Sequence, residues 1–182
     1  TYYLYYDTPN GHNYVAESDS PIGPFENGKQ IEGVSQIDPN IFIDDDGQVY
    51  FFWGQFSAKG VKMNPDLKTL DMSTYVDGLV TEKEHYFHEG SYVIKRGKYY
   101  YFIYADISRK ARPTCIGYAM ATSPLGPYEY KGVIVDNAGC DPQTWNNHGS
   151  IVQYGEKWYI LYHRSTHAST TMRKACIEPI SF

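Results

Sequence analysis

Three short polar segments carry the residue types needed for proton transfer. Asp38 lies in Gln36-Ile37-Asp38-Pro39, Glu89 in His88-Glu89-Gly90 and His148 in Asn146-Asn147-His148-Gly149. Each stands just before a run of strand-forming residues, so all three occupy the same phase of their surroundings. Two carboxylates in one cleft can be held at different pKa values, which allows one to give up a proton beside an ionised partner. A histidine between such groups can position water, hold a ligand or pair with an acid. Arg164 ends an apolar strand, where a guanidinium either pairs with a carboxylate in a pocket or snorkels from a sheet edge. The plainer readings stand beside these: Asp38 before Pro39 can cap a turn, Glu89 can be an exposed ion-pairing residue, and His148 can be structural.

Other chemistries find less support. His163 and His167 are four residues apart, but in a strand-like context with no HExxH pattern. Ser150 and Ser165 lack a nucleophile-elbow sequence, and no glycine-rich phosphate loop is present. Asp44-Asp45-Asp46-Gly47 reads as a solvated turn, because the ligand pattern and closing Glu of a calcium loop are missing.

The elements that must position these groups form a repeat. Asn40 to Ile43 runs through a polar turn into Val49-Tyr50-Phe51-Phe52-Trp53; Gly90 to Lys95 runs through Arg96-Gly97 into Tyr99 to Tyr104; Gly149 to Gln153 runs through Tyr154-Gly155 into Trp158 to Tyr162. β-Branched and aromatic residues around glycine turns predict three β-hairpins. A further strand is expected downstream of each, at Gly60 to Met63, Cys115 to Ala121 and Arg173 to Ile180, with Tyr128 to Val135 as an outer strand. The aromatic strands recur at about 50 to 60 residues, a period suited to the blades of a β-propeller.

Tyr2 to Tyr6 and His12 to Glu17 fit the second and third strands of the same unit, so the first strand of that unit is expected to precede Thr1. Its exposed edge invites pairing with another strand, from a missing N-terminal region or a complementing chain. Ser20 to Phe25 and Ser123 to Tyr128 are near copies that strengthen the repeat. Helix signals are weak; Tyr75 to His85 is expected to give one or two turns at most. The fold class is therefore all-β, a partial propeller with an incomplete blade at the N-terminus, against the alternative of a β-sandwich.

The 182-residue length suits one domain, and 42% hydrophobic with 20% charged residues describes a folded globule. A net charge of −5 without a basic run argues against nucleic acid or an anionic membrane surface as partner. No apolar stretch approaches the roughly 20 residues of a membrane-spanning helix. Cys115, Cys140 and Cys176 form no CxxC pattern and leave room for one internal bridge at most. Aromatic content is 16%, with nineteen Tyr, and Tyr and Trp offer flat apolar faces suited to sugars or peptides.

Taken together, Tyr2 to Phe25, Ile37 to Gly47, His88 to Ser91, and Asn146 to Ser150 through His163-Arg164 resemble glycoside hydrolase family 43 over nearly the whole chain. The resemblance implies a five-bladed propeller, of which residues 1–182 would be a partial catalytic domain. It implies inverting hydrolysis of arabinose- or xylose-containing glycans. By motif, Glu89 matches the general acid and Asp38 the Asp that orients and tunes it. His148 matches a central histidine associated with a calcium ion or ordered water, and Arg164 a substrate-side arginine. The family's base lies upstream of the Asp38 motif, so the chain is expected to carry the acid side without the water-activating side and to be weak in isolation. The alternative is a non-catalytic sugar-binding propeller in which Trp53, Phe87, Trp145 and nearby tyrosines give stacking faces. Like-charge interaction between Asp38 and Glu89 is expected to raise one pKa, with Glu89 keeping the proton.

Overall fold

A computed structural model describes residues 1–110, 112–141, 147–169 and 171–182. Fourteen strands and one short helix are found among them. The strands form four antiparallel sheets in chain order, each a simple meander. The first contains β1 (Tyr2–Asp7), β2 (His12–Ser18) and β3 (Glu26–Ser35). The second contains β4 (Asn40–Ile43), β5 (Val49–Trp53), β6 (Ser57–Met63) and β7 (Leu70–Thr81). Helix α1 (Glu82–His85) leads into the third, built from β8 (Phe87–Arg96), β9 (Tyr99–Asp106), β10 (Cys115–Ala121) and β11 (Glu129–Val135). The fourth contains β12 (Gly149–Tyr154), β13 (Lys157–Ser165) and β14 (Arg173–Ile180).

Alternation along the aromatic strands explains why four small sheets hold together. Phe51 and Trp53 face the first sheet and pack with Val15, Ile31 and Val34. Tyr50 and Phe52, one residue out of phase, face the third sheet and pack with Phe87, Phe102 and Tyr104. Ile103, between Phe102 and Tyr104, points the other way, to Ile151, Ile160 and Tyr162 of the fourth sheet. A strand whose successive side chains serve two cores must be apolar at every position, which accounts for the continuous aromatic runs. Edge-to-face rings at the second interface, such as Phe52 and Phe102 with centroids 5.6 Å apart, add directional contacts to the burial.

The three predicted hairpins are present as β4–β5, β8–β9 and β12–β13, and β14 spans the predicted residues. Within Tyr75 to His85, expected to give one or two turns at most, one helical turn is present at Glu82–His85, and the rest is the end of β7. β7 is an outer edge strand with register shifts against β6, so it lacks a clean alternation of buried and exposed residues. Four sheets are present among the described residues, as a partial propeller with an incomplete first sheet requires. All three cysteines are free thiols. No helix among the described residues is long and apolar enough to cross a membrane.

Candidate active site

Asp38, Glu89 and His148 meet where the innermost strands of three sheets begin. Asp38 precedes β4, Glu89 is the third residue of β8, and His148 precedes β12. One ligand atom from each lies within 4.8 Å of the others. His148 Nε2 is 3.4 Å from Glu89 Oε1 and 3.4 Å from Asp38 Oδ2. Asp38 has a left-handed backbone, φ 61°, which turns its carboxylate toward β8, where Oδ2 accepts a hydrogen bond from the Gly90 N–H at 3.1 Å. Gly90 is required there twice over. Its φ is +78°, and a Cβ at that position would meet the His148 ring at 2.8 Å. Asp38 and His148 border a cavity of about 340 Å³, lined also by Tyr5, Tyr6, Asp7 and Gly90, while Glu89 lies buried just behind them.

The acid pair is asymmetric, in the opposite sense to expectation. Burial pushes Asp38 up, the His148 charge and the Gly90 N–H oppose it, and Glu89 and Asp7 add like-charge repulsion, leaving Asp38 raised. Burial also pushes Glu89 up, but the His148 hydrogen bond and charge, together with the Gln55 amide, outweigh it and hold Glu89 below the ordinary carboxylate value. Gln55 Nε2 donates to Glu89 Oε2 at 2.8 Å. Burial depresses His148, yet the two carboxylates more than compensate and raise it. The carboxylates thus strengthen the hold of the imidazole on a proton, and the imidazole in turn weakens that of Glu89, with His148 Nε2 3.4 Å from both acids.

Several expected site residues lie elsewhere. Trp53 is 1% exposed and Phe87 0%, each within an inter-sheet core, so neither offers a face to a ligand. The Trp53 indole is fixed by its N–H to the Ser35 carbonyl at 2.9 Å. Trp145 lies outside the described residues. Arg164 donates from Nε to Asn137 Oδ1 at 3.1 Å, approaches Glu178 at 3.6 Å and lies over the Tyr162 ring. These partners belong to the fourth sheet and its flanking loop, not to the acid cluster. Gln55 was not legible in the sequence, since only the turn after β5 brings its amide onto Glu89.

The cluster fits a directly bound calcium ion poorly. It supplies two carboxylate oxygens and one nitrogen within 4.8 Å, whereas calcium collects six to eight oxygens.

The family profile of glycosyl hydrolases family 43 matches residues 1–182. A β-xylosidase of Xylanibacter ruminicola is 28% identical over 89% of this chain and 61% of its own length. A xylosidase/arabinosidase of Thermoclostridium stercorarium is 29% identical over 98% of this chain and 45% of its own. A solved β-xylosidase/α-arabinofuranosidase from a compost microbial metagenome, in complex with xylotriose, superposes with a TM-score of 0.82 at 26% identity, covering 99% of this chain and 66% of that one. The chain thus spans about half to three fifths of these two curated relatives' length. It belongs to glycosyl hydrolase family 43.

Proposed function

We propose that this chain forms the acid side of a site that hydrolyses O-glycosidic bonds in arabinose- or xylose-containing plant glycans with inversion. The observation that carries the reading is the convergence of the Asp38, Glu89 and His148 side chains at the starts of three inner strands, beside a cavity that Asp38 and His148 line. The names of the relatives supply the substrate class. The four sheets are read as blades of a five-bladed propeller, with β1 occupying in its sheet the place of β5, β9 and β13 in theirs.

In this reading Glu89 delivers a proton to the glycosidic oxygen as the bond from that oxygen to the anomeric carbon breaks. A water attacks the anomeric carbon from the opposite face and passes its proton to a base, about 6.5–9.5 Å from the acid in an inverting site. That base is not assigned to a residue of this chain. Asp38 orients the cluster through the Gly90 N–H and His148. Gln55 holds the Glu89 carboxylate in one rotamer, so the acid is aimed before substrate arrives. His148, whose affinity for a proton is raised by the two carboxylates, lies 3.4 Å from Glu89 Oε1 and is placed to exchange a proton with it.

The test compares substrates with good and poor leaving groups. Glu89→Gln is expected to slow hydrolysis of xylobiose by about 10²- to 10⁴-fold, and that of 4-nitrophenyl xyloside or arabinofuranoside much less, because nitrophenolate leaves without a proton. Equal losses on both, or none, contradict the acid assignment. A non-catalytic sugar-binding role predicts binding of these glycans with no turnover that depends on Glu89.

A further inference from the structure

The turn between β5 and β6 places two neighbouring side chains on opposite sides of the protein surface. Gln55 points inward, to Glu89. Phe56 points outward and is 52% exposed. Its backbone is left-handed, φ 64°, a conformation that a bulky residue with a Cβ adopts at a cost and that Gly or Asn would adopt more readily. Two backbone hydrogen bonds lock it there: the Phe56 N–H donates to the His88 carbonyl at 2.8 Å, and the Phe56 carbonyl accepts from the Glu82 N–H at 2.8 Å. The ring forms a T-shaped pair with His88, centroids 5.3 Å apart at 74°, and about half of the residue stays exposed. Glu82 stands beside it with a half-exposed carboxylate, 3.8 Å from His88 Nδ1. The chain therefore holds a large apolar ring in a strained backbone, in water, directly against the residue that precedes Glu89. Strain of this kind persists where the local structure over-determines it, and it collects at ligand sites.

We propose that Phe56 is a sugar-stacking residue on the leaving-group side of the site, with Glu82 accepting hydrogen bonds from hydroxyls of the same sugar unit. The proposal rests on the reading of Glu89 as the acid. A group that protonates the glycosidic oxygen has the departing sugar beside it, and Phe56 flanks the start of the strand that carries Glu89. The apolar face of a pyranose ring covers an aromatic face well, while its equatorial hydroxyls reach outward to a carboxylate. Phe56 thereby supplies the stacking surface that Trp53 and Phe87, both in the core, cannot supply. Its contribution grows with chain length: a glycan must extend past the scissile bond to touch it.

Calorimetric titration of the chain with xylose and with xylotriose tests this, using Phe56→Ala, Phe56→Tyr and Phe56→Asn. Phe56→Ala is expected to lower the ratio of xylotriose to xylose affinity about tenfold, and Phe56→Tyr to restore it. Phe56→Asn suits the left-handed backbone, so its melting temperature is expected to equal or exceed that of the parent while xylotriose affinity falls as in Phe56→Ala. An unchanged affinity ratio in both the Ala and Asn variants overturns the role of Phe56 and leaves the acid assignment standing. A parent chain that binds no xylotriose overturns the glycan-site reading itself.

Discussion

The imidazole Nε2 of His148 lies 3.4 Å from Glu89 Oε1, and it does so because residue 90 has no Cβ to hold the ring away. That contact, with the Gln55 amide on the other carboxylate oxygen, sets the ionisation of the cluster against simple like-charge reasoning. Two acids side by side predict that Glu89 is raised; the imidazole between them instead holds Glu89 below its ordinary value and leaves Asp38 as the raised member.

Replacing His148 by Ala is expected to raise the Glu89 titration midpoint, because its hydrogen bond and charge are the main influences opposing burial. Carbon-13 NMR of the glutamate carboxyl carbons measures this directly. The stability effect has a definite pH dependence. The folded-state pKa of His148 lies above its ordinary value, so its contribution is fully present below about 6.5 and fades as pH rises through the folded value. The melting-temperature gap between parent and His148→Ala is expected to be widest in acid and to narrow above neutrality.

Gly90→Ala places a Cβ 2.8 Å from the His148 ring and forces a side chain into φ +78°. A loss of about 1–3 kcal/mol is expected on denaturant unfolding. The His148 titration should move back toward its ordinary value in the same variant, as NMR of the imidazole will show. Unchanged stability and titration would mean that the close approach is unimportant.

Asp44 fastens the turn between β4 and β5 to the third sheet, accepting from Lys95 Nζ at 2.6 Å and from the Tyr100 hydroxyl at 2.6 Å. Burial pushes this carboxyl up, but the Lys95, Tyr100 and Asp45 hydrogen bonds bring it below the ordinary value. Stability from a depressed carboxyl is present above its unfolded-state value, about 3.9, and is lost as pH falls through the folded one. Asp44→Asn is expected to melt about 2–4 °C lower near pH 6. The difference should close as the medium is acidified.

Asp38, Glu89 and His148 were legible in the sequence because each stands at the same phase of a repeated strand–turn–strand unit, and equivalent phases in a radial array converge. Trp53 and Phe87 were misplaced for a related reason. A strand buried on both faces is apolar throughout, so nothing in Phe51-Phe52-Trp53 distinguishes a ring in a core from a ring in a cleft. β7 was hidden because its ladder to β6 is bulged and much of it is exposed, which erases the period-2 pattern. Gln55 and Phe56 depend on a left-handed turn at a residue that is neither Gly nor Asn, and local sequence carries no signal for that.

The most direct test of the acid assignment is a crystal structure of the Glu89→Gln protein with xylotriose. The account predicts a glycosidic oxygen within about 3.2 Å of the side-chain amide at position 89, with a sugar ring of the leaving-group side over Phe56. A trisaccharide bound with every glycosidic oxygen beyond hydrogen-bonding reach of position 89 would contradict it.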